Sequence, residues 1–146
     1  MAMARAAVVL SLVAAMPASA AGQRGVEQIV AHHVAAMKRA ALNEIMSDYA
    51  DDAVVVTPSG LMPTSPRGRR GAFIGKQRAR AVFARLTDAE NITGIRDMET
   101  RIQVLSNEVA VLHWVQFRGS PRQVSGQDYF VVHRGKITLQ DIVIEK

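Results

Sequence analysis

Cysteine is absent from this chain, so no disulfide can staple it and no thiolate can hold a metal or act as a nucleophile. An exported protein built this way is stabilised by its core alone, which suits a bacterial periplasm or exterior better than a disulfide-dense scaffold. Long apolar runs are also lacking. The longest, Ala6 to Met16, is interrupted only by Ser11 and falls well short of the ~20 residues that a membrane-spanning helix needs. Aromatic residues make up 5% of the chain. Its most basic loop, from Leu61 to Ile74, has Arg67, Arg69 and Arg70 with only Phe73 beside them, too few rings to stack nucleic-acid bases. The histidines, His32, His33, His113 and His133, include no pair at the i, i+4 spacing of a helical zinc site. No Ser-His-Asp signature is present, and Gly68-Arg-Arg-Gly71 lacks the lysine and strand context of a phosphate-cradling loop. Nothing here calls for a cofactor, a metal or a nucleic-acid partner.

The 146 residues amount to one domain, long enough to bury roughly two-thirds of the unfolded surface. Residues 1–20 read as an export leader instead. Arg5 gives a basic start, the apolar run follows, and Pro17-Ala18-Ser19-Ala20 supplies small residues on both sides of a cut after Ala20. The expected mature domain is 21–146, secreted or periplasmic, and loss of Arg5 takes the formal charge from +5 to +4. So mild a positive excess selects no particular partner.

The mature chain is organised around Tyr49-Ala-Asp-Asp-Ala-Val-Val-Val-Thr-Pro-Ser-Gly60. Asp51 and Asp52 favour a turn, Val54 to Val56 suit a strand, and Pro58 with Gly60 ends it. Upstream, Val26, Ile29, Val30, His33, Ala36 and Met37 fall on one helical face. Leu42, Ile45, Met46 and Tyr49 form a second short pattern, with a break expected near Asn43-Glu44. Downstream comes the loop Ser59 to Ile74, then a third helix over Lys76 to Leu86 with Ala79, Val82, Phe83 and Leu86 on its face. Thr87 to Gly94 reads as polar linker.

From there the period changes to two. Met98, Thr100, Ile102 and Val104 alternate with Glu99, Arg101 and Gln103, which predicts a half-buried strand. In the next strand Val109, Val111, His113, Val115 and Phe117 share one face, expected to point inward; Ala110, Leu112 and Trp114 share the other, expected to be the outer, dimer-forming face. Asp128, Phe130 and Val132 share a face in the third strand. After the Arg134-Gly135 turn, Ile137, Leu139 and Asp141 alternate with Thr138, Gln140, Ile142 and Ile144. Helices first and antiparallel strands afterwards predict an α+β fold: a cone-shaped barrel with the N-terminal helices packed in the concave face of a curved, mostly antiparallel sheet.

Three stretches carry a resemblance. They are the Tyr49–Gly60 segment, Gly75-Lys76 before the helix containing Val82-Phe83, and Gly126-Gln-Asp-Tyr-Phe-Val-Val-His-Arg-Gly-Lys-Ile137. Together they resemble the nuclear transport factor 2-like superfamily in its SnoaL-like branch, which includes polyketide cyclases and ketosteroid isomerases. The resemblance spans Val26 to Ile144 and implies a cone with an apolar pocket. It also implies departures. Thr57 stands where the isomerases place an aspartate general base, and a threonine hydroxyl is no such base near neutral pH. His33 falls on their oxyanion-hole tyrosine, and Phe83 on a supporting tyrosine. Tyr49 matches, and Asp128 matches an acid that the family keeps protonated as a hydrogen-bond donor. Steroid-type isomerisation by the same residues is therefore not expected.

The candidate site is His33 and Asp128 for proton transfer, with Thr57, His113, Tyr49, Phe83, Val111, Val115 and Phe130 lining it. A histidine moves protons near neutral pH, and a buried carboxylate needs partners or is protonated. These groups either converge as an acid-base set on a small, largely apolar organic molecule or hold the core in register. A His33-His113-Asp128 metal trio is disfavoured beside the hydrogen-bond reading. The basic loop is either a lid that steers an anionic ligand or a solvated insertion. Enzyme and non-catalytic binding or dimeric assembly domain both remain open at this point.

Overall fold

A computed structural model describes residues 24–65 and 68–145; the expected leader lies outside them. Helix α1 (Val26–Lys38) buries Ile29, Val30, His33, Val34, Ala36 and Met37, the face that the 3.6-residue period marks. The break after it falls at Arg39–Ala41, where Ala40 takes φ 53°, and not at Asn43-Glu44, which lie within α2 (Leu42–Ser47).

Strand β1 (Tyr49–Thr57) begins at Tyr49 itself. Asp51 and Asp52 do not form a turn: they sit exposed within β1, where its register against the last strand shifts between Tyr49 and Val54. A bulge lets two carboxylates leave the ladder towards water without ending the strand. The end of the long loop forms a short strand, β2 (Gly71–Ile74), antiparallel to β1. Helix α3 (Lys76–Leu86) follows as expected and buries Ala79, Val82 and Phe83. The supposed linker then contains α4 (Ile92–Arg96). Its approach is set by Asp88, whose carboxylate accepts the backbone N–H groups of Glu90 and Asn91 at 3.0 Å each.

Strands β3 (Glu99–Val104), β4 (Val109–Gln116), β5 (Val124–His133) and β6 (Lys136–Glu145) complete one curved, open sheet in the order β2-β1-β6-β5-β4-β3. All neighbours are antiparallel except β1 and β6. The fold is therefore α+β, with the helices against the concave side. The β5–β6 hairpin turns on Arg134 and Gly135 at φ 49° and 75°, the paired positive φ values that suit a two-residue connection between twisted strands. A second register shift lies opposite Val131 and Val132, which pair with Leu139 and Ile137. The extra residue, Thr138, changes the phase of β6, so that Ile137, Gln140 and Ile142 are all buried while Leu139 and Asp141 turn outward.

Two expectations about the strands are corrected. β3 is an edge strand in which only Ile102 is half-buried. β4 is seated the other way round: Leu112 pairs with Asp128 and Trp114 with Gly126, so Ala110, Leu112 and Trp114 face the helices while Val111, His113 and Val115 face outward. Both faces of β4 are apolar enough to be buried, and period two alone cannot rank them.

The N-terminal side is fastened by Asp48, a residue the sequence reading passed over. Its fully buried carboxylate accepts from Arg24 at 2.8 Å and meets His32 Nδ1 at 2.7 Å. His32 and Arg24 thus give this buried carboxylate its hydrogen-bond partners. The Asp48 carbonyl accepts the backbone N–H of Ile137, tying α1, α2 and β6 at one point.

Candidate functional site

Between the helices and the concave face lies a cavity of about 160 Å³. Helix α1 supplies Val34 and Met37, α4 and the residues after it supply Ile95 and Met98, and the sheet supplies Leu112 and Ile142. Pro58 and Leu61 from the loop after β1 complete the apolar wall. Met62 is also buried, and Arg70 at the far end of that loop pairs with Asp141 and donates to the Ile142 carbonyl at 2.8 Å. The loop, read alternatively as a lid or a solvated insertion, contributes wall at its start and is bonded to the sheet at its end.

One polar chain crosses this apolar wall. Asp128 is 8% exposed; one carboxylate oxygen accepts Trp114 Nε1–H at 2.8 Å and the other accepts Gln140 Nε2–H at 2.7 Å. Gln140 in turn accepts the hydroxyl proton of Tyr49 through its Oε1. Asp128, Trp114 and Gln140 all line the cavity. Burial pushes the Asp128 carboxyl up to about 6, against the pull of its two donors. The same burial raises the Tyr49 phenol well above its ordinary range, with the Asp128 and Asp48 charges adding to it.

His33 shares the cavity. It stands edge-on to Tyr49, Phe83 and Phe130, with ring centroids at 5.5, 5.3 and 5.5 Å. Desolvation pulls its pKa down to about 4 although Asp48 works the other way, so the imidazole is neutral at pH 7. Its Nδ1 is buried without a hydrogen-bond partner among the described residues. The cavity thus combines an ionisable acid held by donors, a neutral imidazole and an apolar lining, a combination fitted to a small organic molecule.

No family model matches the sequence, and no curated protein matches it either. Solved structures do match. A nuclear transport factor 2-like protein of unknown function from Burkholderia xenovorans is 15% identical over 82% of each chain, with a TM-score of 0.61. Another from Burkholderia pseudomallei is 18% identical, covering 82% of this chain and 89% of that one at a TM-score of 0.59. A third neighbour, TerC co-crystallised with polyporic acid, is 14% identical, covering 82% and 90% at a TM-score of 0.60. The chain has the nuclear transport factor 2-like fold. At these identities the likeness concerns the fold, and the site must be read from its own residues.

Within the nuclear transport factor 2-like frame, the expected site residues divide into three groups. His33 and Asp128 line one cavity. Tyr49, Phe83 and Phe130 are fully buried around His33 but shape the site from behind it. Thr57 is buried too, yet its hydroxyl faces Gly71 and finds no partner among the described residues; it forms no part of the cavity lining. His113, Val111 and Val115 lie on the opposite face of the sheet, where His113 bonds Gln103 at 3.1 Å, so their assignment to the site is corrected along with the seating of β4. Among the described residues no three metal-ligating side chains come together. Trp114 and Gln140 are the residues that sequence reasoning missed. Gly126 was the available signal for Trp114: a Cβ there would meet the indole at 2.3 Å and the Val143 carbonyl at 2.2 Å, and a glycine inside a strand marks such a close approach.

Proposed function

We propose that this is an exported SnoaL-like protein that holds a small, largely apolar organic molecule in its cone, with acid-base chemistry available at Asp128 and His33. The observation that carries this reading is Asp128, a buried ionisable group on the wall of an apolar cavity and within hydrogen-bond reach of two donors. Perturbed groups of this kind in a cavity mark candidate sites. Thr57 does not reach the cavity, so the acid-base work falls to Asp128 and neutral His33. Export rests on Arg5, the Ala6–Met16 run and Ala18-Ser19-Ala20.

Size narrows the ligand. A cavity of about 150 Å³ accepts benzene, and this one measures about 160 Å³. A single ring fits within that volume. Native mass spectrometry of protein purified from its own cells, followed by extraction and identification of the bound compound, tests the reading. A ring-sized neutral organic compound, lost in a Leu112→Trp variant that fills the cavity, supports it; a protein that emerges empty and binds no compound from a library of single-ring molecules refutes it.

A second reading is favoured by the outer face of the sheet. Val109, Val131, Leu139 and Val54 form a half-buried row across four strands, beside Tyr129 at 41% exposure. This row, and not Trp114, is the surface on which a second copy would pack, making the protein a dimeric binding or assembly domain. Sedimentation of wild type and Leu139→Lys distinguishes them: a dimer that the lysine dissociates supports the assembly face, and a monomer in both refutes it.

A further inference from the structure

We infer that the cavity selects an uncharged, ring-sized molecule that presents an O–H or N–H group, with Asp128 accepting that hydrogen and not supplying one. The inference rests on the ligand-holding reading and concerns the direction of its central hydrogen bond. The indole of Trp114 is donor only, so its contact with Asp128 has one possible polarity. Gln140 is oriented by Tyr49: with its oxygen receiving the phenol proton, its amide nitrogen points a second donor at Asp128. Trp114 and Gln140 therefore each donate to this one carboxylate, and Tyr49 fixes the Gln140 amide in the orientation that does so.

A carboxylate has about four lone-pair positions, and these contacts occupy two of them. The remaining ones belong to a residue on the cavity wall. Donors on both oxygens favour the ionised form, and with its carboxyl at about 6 Asp128 is mainly anionic at neutral pH. This is the reverse of the role that the resemblance to steroid isomerases implies, in which the corresponding acid is protonated and donates. It also excludes anionic ligands, since the nearby Asp141 charge already opposes ionisation of Asp128 and a further carboxylate would add to that repulsion. In a proton transfer the ligand O–H bond breaks, the proton joins an Asp128 oxygen, and the electron pair stays on the ligand oxygen, with neutral His33 in the same cavity.

Three probes of nearly equal size test this. Phenol presents a donor, toluene presents neither donor nor acceptor, and benzaldehyde presents only an acceptor. The chain has a single tryptophan, so the Trp114 indole N–H gives one resonance in a two-dimensional nitrogen–proton spectrum, at the ligand's own contact point. Phenol should shift that resonance saturably and bind at least tenfold tighter than toluene, as expected for a hydrogen bond to a charged group. Asp128→Asn should bring the two affinities to within about threefold of each other. Should toluene or benzaldehyde bind as tightly as phenol, the donor inference is overturned while the pocket reading stands. Should none of the three move the resonance at millimolar concentration, the pocket reading itself is lost. The wild-type comparison decides between these outcomes even if the variant does not fold.

Discussion

His33 and Asp128 make opposite demands on pH, and their opposition can be measured. His33 titrates at about 4 in the folded chain against 6.5 for an ordinary histidine. Its lowered value means that its contribution to stability is fully present above pH 6.5 and is lost as pH falls towards 4, when the unfolded chain binds a proton that the folded one refuses. Asp128 titrates at about 6 against 3.8. Its raised value means that its contribution is fully present below pH 3.8 and is lost as pH rises through 6. Each difference corresponds to about 3 kcal/mol, with opposite slopes over nearly the same window. Wild type should therefore show little net change from this pair between pH 6 and 4. In Asp128→Asn only the histidine remains, and stability should fall by about 1.4 kcal/mol for each pH unit below 6.5. In His33→Phe, which keeps a ring among Tyr49, Phe83 and Phe130, stability should rise with a similar slope as pH falls below 6. Urea unfolding followed by Trp114 fluorescence at a series of pH values gives all three curves, and the other carboxylates, common to all, cancel in the differences. Three parallel curves would mean that neither group is buried as described, and the site would go with them.

Further predictions concern single contacts. Gly126→Ala forces a methyl group into the Trp114 ring and the Val143 carbonyl; it should cost about 1–3 kcal/mol, as overpacking does, and change the Trp114 emission spectrum of the folded protein. Tyr49→Phe leaves the Gln140 carbonyl buried without its donor and should cost about 1–3 kcal/mol in urea unfolding. His113→Ala, on the outer face, should stay within about 0.5 kcal/mol of wild type and leave the Trp114 indole resonance in place; a large shift there would return His113 to the site.

The helical face of α1, the α3 helix and the β5–β6 hairpin were legible because each rests on a local rule: a 3.6-residue apolar period or a two-residue turn with glycine. Asp128 was legible as inward because Phe130 and Val132 flank it on an otherwise unambiguous strand. What escaped was everything that depends on pairing at a distance. β2 has only Gly71 to Ile74 and is a strand solely because β1 lies beside it. Thr138 becomes a bulge only against Val131 and Val132, and without it Gln140 cannot be placed on the same side as Ile137. Asp48, one residue beyond α2, looks like an ordinary polar helix end until Arg24 and His32 are brought to it by the fold.

The seating of β4 is the most instructive of these, because a physical argument was available that hydrophobicity alone did not supply. Its two faces, Val109-Val111-His113-Val115 and Ala110-Leu112-Trp114, are both apolar, so transfer free energy does not rank them decisively. Polar satisfaction does. A buried indole needs an acceptor for its N–H, and a buried carboxylate needs donors. Asp128 and Trp114 meet both needs together only when even-numbered residues of β4 face inward, while His113 on the outer face meets its own from Gln103 or from water. The neighbouring strand adds a steric condition, since only glycine at position 126 leaves room for the indole to lie across it. The orientation that satisfies the two buried polar groups is thus also the one that places the acid, the indole and the imidazole on a single cavity wall, so the contact that stabilises the sheet's register is the same one that makes the site.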